Sequence, residues 1–453
     1  MNNALQQYLD AHAGEGQRTL EQLARQPSVA AQGRGIAEMA DLVESLLAGA
    51  GFRTRRLCVE GAPPVVWGEL RGRGPTTLLL YNHYDVQPPD PLALWESPPF
   101  EPTVRDGKLY ARGVSDNKGE IAARLAAIRA LSEVGGDLPL TIRWIIEGEE
   151  EVGSPHFAAV AERYADLLQA DGCLWEGGGF DPEDRPVLAL GAKGMLYVQY
   201  EVRSMSRDAH SGSATVLPSA AWRLVRALAS LRAPDGRIRI PGFYDAVRAP
   251  SPEALDALAD LTDMEEHMRE QYGIDTFVDG LTGLALRERQ AFSPTCNIAG
   301  LLSGYTEEGV KTVLPAQAMA KMDFRLVPDQ DPDDILAKLR AHLQAEGFHD
   351  VKVRSLGGAE PVVTPIDHPL VQRIAAIAED FAGKKPAINP LMGGTLPLLG
   401  SLQHYVGVPG LAAPGNPSYW GSGAHAPNEH VRLEDISRAV RFNCHLFSQL
   451  GQQ

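Results

Sequence analysis

The chain predicts an α/β fold, a mainly parallel sheet sandwiched by helices, with a ferredoxin-like α+β unit inserted into it. Three observations carry that expectation. Continuous apolar runs alternate with helical patterns in the N-terminal third, strict apolar–polar alternation sets in near residue 193, and α/β character returns after residue 360. Leu78, Leu79, Leu80 and Tyr81 form an unbroken apolar run, as a strand buried on both faces would. Residues 119–134 place Ile121, Leu125, Ile128 and Leu131 along one helical face. Leu140, Ile142, Trp144, Ile145 and Ile146 predict a second buried strand, which leads into Glu149–Glu150–Glu151. Strand–helix–strand successions of this kind build parallel sheets, and ligands collect beyond the carboxyl ends of their strands.

In the inserted unit, Leu196, Val198, Tyr200 and Val202 alternate with Tyr197, Gln199, Glu201 and Arg203, as in a half-exposed strand. A helix is predicted at about 219–232 with Trp222, Val225, Leu228 and Leu231 facing inward. Strands near 295–302 and 318–327, a helix near 334–346 and a strand near 351–356 follow, giving the order β-α-β-β-α-β. A Pro-containing, partly helical insertion occupies roughly 236–290. Beyond residue 360 come a helix near 369–382, the Gly-rich loop Leu391–Met392–Gly393–Gly394–Thr395, and a closing helix near 433–449. The expected domains are thus 1–192 joined to 361–453, with 193–360 inserted.

A chain of 453 residues exceeds one ordinary core, which agrees with two domains. Its apolar share of 44% and charged share of 22% are those of a globular protein. No apolar run is long enough to span a bilayer, and Met1–Gln6 lacks a secretory pattern, so a cytoplasmic protein with no membrane partner is expected. Cys58, Cys173, Cys296 and Cys444 are scattered without CxxC spacing, which predicts reduced thiols. A net charge of −16 excludes a nucleic-acid partner from the expected functions. Most of that acidity reads as solubility, and part of it as acidic ligands that cations would neutralise.

Four short segments carry side chains suited to a pair of divalent metals: His83–Tyr84–Asp85, Asp116 between Gly113 and Gly119, Glu149–Glu150–Glu151, and His425 in Gly423–Ala424–His425–Ala426–Pro427. His83 and Asp85 are two apart in an extended segment, so their side chains share a side. A metal-binding imidazole usually has a carboxylate on its other nitrogen, and Asp85 is in reach for that; an isolated His-x-Asp more often serves loop amides. Asp116 offers two oxygens that could bridge two metals, although an Asp just before a helix often acts only as a cap. Adjacent glutamates can divide labour, one ligating while its neighbour takes a proton from water, whereas exposed acidic runs are usually solvated surface. Glu176, before Gly177–Gly178–Gly179, fits a further ligand or a strand-end surface residue. Arg325 projects from the polar face of a strand and suits a bidentate grip on a carboxylate or a surface salt bridge. His210 lies in the turn Asp208–Ala209–His210–Ser211–Gly212.

As a set, these segments resemble the di-zinc metallopeptidase family that includes carnosinase, non-specific dipeptidase, aminoacylase, carboxypeptidase G, acetylornithine deacetylase and succinyl-diaminopimelate desuccinylase. The likeness covers nearly the whole chain and implies a catalytic domain with an inserted lid and dimerisation domain. It implies two Zn²⁺ per subunit, with Mn²⁺ or Co²⁺ acceptable to the same ligands. His83, Asp116, Glu151, Glu176 and His425 would be the metal ligands, with Asp116 bridging, Asp85 orienting His83, and Glu150 the general base. His210 would reach a second copy's active site and stabilise the oxyanion, which implies a homodimer through the lid. Asn297 and Arg325, with backbone donors of Gly393, Gly394 and Thr395, would hold the substrate carboxylate.

Two departures bear on substrate. Carnosinase-like members carry Arg–Glu where this chain has Leu391–Met392, and members that require a free amino terminus tend to have Asp at the Glu176 position. Both point toward an N-acyl-amino-acid hydrolase, while Glu150–Glu151–Val152–Gly153–Ser154 and Phe324–Arg325–Leu326–Val327–Pro328 are similar to the dipeptidase branch. The expected function is a di-metal hydrolase that cleaves a peptide or amide bond beside a free C-terminal carboxylate, either dipeptidase-like or an N-acyl-amino-acid amidohydrolase. A metal-dependent protein that only captures a small ligand, and a scaffold without metal, are the rivals from other classes.

Overall fold

The computed structural model describes residues 3–452. Six strands form the central sheet, in spatial order Arg53–Leu57, Val65–Leu70, Thr141–Glu147, Thr77–His83, Gly172–Leu174 and Gly410–Leu411. The last four run parallel, and the first two form an antiparallel edge. Register decides what emerges at the carboxyl end. His83 sits opposite Glu147 and Leu80 opposite Leu174, so His83, the Glu149–Glu151 loop and Glu176 leave the sheet side by side.

Helix Lys118–Gly135 differs from its expected one-sided pattern. It is buried on nearly every side, because Ala122, Ala123, Ala126, Ala127 and Ala130 line the faces that Ile121, Leu125 and Ile128 do not. Small side chains there let helices Asn3–Ala11, Glu15–Arg25 and Leu433–Leu450 pack against it.

The inserted unit contains a four-stranded antiparallel sheet ordered Asn297–Ser303, Gln317–Leu326, Gly194–Arg203, Lys352–Ala359. Leu196, Val198, Tyr200 and Val202 point inward with Ala320, Met322, Phe324 and Leu326, and they meet Ile335, Leu339 and Leu343 of helix Pro332–Ala345. Truncating a side chain as buried as Phe324 costs about 3–5 kcal/mol. That helix starts on Asp331, whose carboxylate accepts the Asp334 N–H at 2.7 Å, with Pro332 in its first turn.

Helix Ala220–Ser230 corrects one expectation. Leu228 and Leu231 face the core with Leu224 and Ala227, but Trp222 and Val225 face outward, Trp222 at 64% exposure. The large apolar residues were expected inside; the smaller Ala220 and Ala227 take those places because the helix lies close to the sheet.

Buried apolar side chains fall into two main clusters, one drawn from both ends of the chain (Leu5 to Ala192 and Val371 to Leu450) and one from Leu196 to Val351. The chain passes between them twice, where Gly191 and Ala192 pair antiparallel with Val363 and Val362. The insertion forms helices Pro252–Ala259, Glu265–Tyr272 and Gly283–Phe292. Its Leu258 and Ala291 pack on Leu391, tying it to the Gly393–Thr395 loop. None of the described helices is long and apolar enough to cross a membrane.

Candidate metal centre

A buried polar network fixes the floor of the site. Arg124, on the central helix, donates to the Tyr81 carbonyl and Asn82 Oδ1 at 2.7 Å each and to the Trp175 carbonyl at 3.0 Å. It also pairs with Glu120 at 2.7 Å. One guanidinium therefore ties the ends of two strands to the start of a helix; His83 closes one strand, Glu176 lies just past the other, and Asp116 lies just before the helix. Gly113 allows the turn that brings Asp116 in: its φ is +83°, and a Cβ there would lie 2.4 Å from Val86.

The expected ligands converge. His83 Nε2 lies 3.1 Å from Asp116 Oδ1 and 3.0 Å from Glu176 Oε2. His425 Nε2 lies 3.0 Å from Asp116 Oδ2 and 3.2 Å from Glu151 Oε2. The two oxygens of Asp116 thus face two different histidines. Ligand atoms of His83, Glu150 and Glu176, and separately of His83, Asp116 and Glu151, lie within 4.8 Å of one another. His83 Nδ1 meets the Asp85 carbonyl at 3.1 Å and Asp85 Oδ1 at 3.4 Å, so Asp85 stands where an orienting partner belongs. Its carboxylate also accepts the N–H groups of Glu150 at 3.2 Å and Glu151 at 3.0 Å, which sets the acidic loop against His83.

These distances suit metal ions. Each ring nitrogen has one N–H at most, yet each faces two carboxylate oxygens. Donors placed ~2.0–2.1 Å from one tetrahedral cation stand roughly 3.3 Å apart, close to the spacings seen. Imidazole and carboxylate together are a donor set for zinc, manganese or cobalt.

The charges point the same way. Burial, then the neighbouring Glu176 charge, pushes the Glu150 carboxyl well above its usual range. Burial likewise raises Glu176 against the pull of His83. Burial alone would raise Asp116 too, but hydrogen bonds from His425 and His83 hold it below the usual range. Hydrogen bonds to Asp116 and Glu151 raise His425 to about 10. Burial works against charge on His83, but the Glu176 charge and hydrogen bonds to Asp116, Asp85 and Glu176 raise its pKa well above that of a free imidazole. The cluster holds more negative charge than its surroundings neutralise, and divalent cations would relieve it.

Three residues that support the site were not among those expected. Glu429 is fully buried: Oε1 accepts the Ser115 and Asp116 N–H groups at 2.8 and 3.1 Å, and Oε2 the Gly113 N–H at 2.8 Å. Arg112 pairs with Glu429 at 2.8 Å and reaches the His425 carbonyl at 3.3 Å, so one ion pair braces both loops. Gln87 donates to Glu151 Oε2 at 2.8 Å. Only Gln87 left a trace in the sequence, two residues past Asp85 in an extended run.

The expected carboxylate-binding residues form a second group. Arg325 Nη1 donates to Thr395 Oγ1 at 2.7 Å, and Asn297 Nδ2 to Asp323 Oδ1 at 2.9 Å. Gly393 lines one cleft with Asn297 and Arg325. A Cβ on Gly393 or Gly394 would meet nothing within 4 Å, so both backbones face open space. His210 stands apart from both groups. Its exposed ring accepts the Gly212 N–H at 3.0 Å and lies 3.2 Å from Thr312 Oγ1.

Comparison with known proteins follows the same lines. Residues 79–449 match the sequence model of peptidase family M20/M25/M40. The chain is 30% identical over 390 residues to the Beta-Ala-His dipeptidase of Homo sapiens, a match spanning 83% of this chain and 74% of that protein. It is 27% identical over 449 residues to a Cys-Gly metallodipeptidase of Schizosaccharomyces pombe, spanning 92% of this chain and 90% of that one. Among solved structures, an M20 family metallo-carboxypeptidase from Sulfolobus solfataricus superposes with a TM-score of 0.92 at 34% identity, covering 97% of this chain and 100% of the other.

Proposed function

Because the chain belongs to peptidase family M20/M25/M40 and is a dipeptidase-like, metal-dependent hydrolase, we propose that it cleaves a dipeptide at the amide bond beside the free C-terminal carboxylate. Two zinc ions per subunit, or manganese or cobalt in their place, would serve the reaction. One observation carries this reading: both oxygens of Asp116 are shared between two histidines, each of which also faces a second carboxylate.

His83, Asp116 and Glu176 would hold one ion, and Asp116, Glu151 and His425 the other. When bound, the ions polarise the scissile carbonyl and acidify the attacking water. Asp85 keeps the His83 ring in place through its carbonyl and carboxylate. Glu150 takes a proton from the water and delivers it to the leaving amine. Arg325, Asn297 and the Gly393–Gly394–Thr395 backbone grip the substrate carboxylate.

The oxyanion donor would be His210 from a second copy of the chain. Its ring touches none of the ligands in its own chain. Val216, Trp222 and Val225 are exposed near it in sequence, and the edge strand Asn297–Ser303 exposes Ile298, Leu301 and Leu302, an apolar surface suited to pairing. We therefore assign 193–360 as lid and dimerisation domain, 1–192 with 361–453 as catalytic domain, and the cytoplasm as the site of action.

A second reading, hydrolysis of N-acyl amino acids, is favoured by Leu391, which is buried against Leu258 and Ala291 and gives the substrate no charge. Both readings are tested by amine release from mixed dipeptides and N-acetyl amino acids, with and without chelator. Chelator-sensitive release from dipeptides is expected. Release from acetylated substrates alone would select the second reading, and none from either would overturn both.

A further inference from the structure

The cleft beside Arg325 is lined by an excess of cations, although the chain as a whole is acidic. Its volume is about 1070 Å³, and it opens between the lid sheet, the insertion and the Gly393 loop. Lys193, Arg232, Arg237, Arg289 and Arg325 line it, against only Asp235 and Asp323. In a protein of net charge −16, such a concentration of cations would draw anions in.

Most of these cations lack a carboxylate partner. Arg289 pairs with Asp279. Asp323 is taken by Asn297 at 2.9 Å and lies 3.9 Å from Arg325 Nε. Asp235 accepts the Arg237 backbone N–H at 3.0 Å. Among the described residues, Lys193, Arg232 and Arg237 form no ion pair. Arg232 donates to the Gly236 carbonyl at 3.0 Å, and the Arg237 guanidinium lies over the Tyr244 ring at 5.9 Å. Lys193 is 3% exposed, its ammonium held by the Ser293 carbonyl at 2.6 Å. A buried ammonium without a counter-ion is costly, and an anionic ligand would relieve that cost.

Resting on the dipeptidase reading above, in which Arg325 takes the α-carboxylate, we propose that Lys193, Arg232 and Arg237 form a second anion subsite. The preferred substrates then carry aspartate or glutamate at the C-terminal position. The α-carboxylate is common to every dipeptide and cannot distinguish among them; a side-chain carboxylate in a cationic cleft can.

The test compares kcat/KM for Ala-Glu, Ala-Asp, Ala-Gln and Ala-Asn with the full-length, zinc-loaded protein, alongside calorimetric binding of free L-glutamate and L-glutamine. Expected is at least a tenfold preference for each acid over its amide, expressed in KM, with glutamate bound at least tenfold more tightly than glutamine. In R232Q/R237Q the Ala-Glu to Ala-Gln ratio should fall close to one. Equal rates for acid and amide, or a ratio unchanged in the double variant, would overturn the proposal and leave the hydrolase reading standing. If no peptide is cleaved, that reading fails instead, and the glutamate–glutamine difference in binding alone decides for or against the subsite.

Discussion

Glu429 accepts the backbone N–H of Asp116 at 3.1 Å, so a carboxylate from the end of the chain holds the one residue whose oxygens face both halves of the metal site. The same side chain takes two further N–H groups and the Arg112 guanidinium. Glu429→Gln keeps the size but puts amide hydrogens against those donors. Zinc affinity, measured by chelator competition, should fall about 10–100-fold. Glu429→Ala leaves Arg112 buried and unpaired and should cost about 3–5 kcal/mol in denaturant unfolding. Unchanged zinc affinity in the Gln variant would remove Glu429 from the support of the site.

Glu150 lies within 4.8 Å of His83 and Glu176, but the 3.0–3.2 Å carboxylate contacts of both histidines are made by Asp116, Glu176 and Glu151 instead. Glu150→Gln should therefore keep its metals while turnover falls about 10²–10⁴-fold. Near-normal rates in a metal-replete sample would reassign the base.

His210 tests whether the site is shared. Neither His210→Ala nor Glu150→Gln homodimers should turn over at an appreciable rate. Mixing the two should restore activity, since one of the two sites in a heterodimer combines an intact Glu150 with an intact His210. Absence of rescue, with heterodimers shown by mass spectrometry, would place His210 outside the reaction.

Burial and the adjacent Arg325 lower the Lys193 ammonium to about 8. Facing it are Arg325 and the Ser293 carbonyl. A depressed lysine is charged below that pH and neutral above it, so attraction for an acidic substrate weakens as pH rises. Between pH 7 and 9 the KM for Ala-Glu should rise relative to that for Ala-Gln, and Lys193→Met should flatten the ratio. A ratio independent of pH in the unaltered protein would contradict the role given to this ammonium.

The convergence of His83, Asp116, Glu151, Glu176 and His425 was legible in the sequence because each stands at a strand end or in a glycine-flanked loop, where an apolar run gives way abruptly to one polar side chain. Glu429 was not legible: in Pro427–Asn428–Glu429–His430 it reads as one more surface acid, and its partners lie more than 300 positions earlier. The antiparallel edge was not legible because Arg53, Arg55 and Arg56 break the apolar signal of a strand that, among the described residues, pairs only with Val65–Leu70. Trp222 shows the reverse error. Helical spacing identifies a stripe of apolar residues without saying which side the sheet occupies, and an exposed tryptophan suits a surface that a second copy would cover.

The most direct measurement is the metal content of the purified, zinc-reconstituted protein by elemental analysis, set beside that of Asp116→Ala. Two zinc ions per chain are predicted, and fewer than one in the variant, because the two Asp116 oxygens face one histidine each and would serve both ions. A chain that binds no zinc, or an Asp116→Ala variant that keeps both ions, would contradict the account.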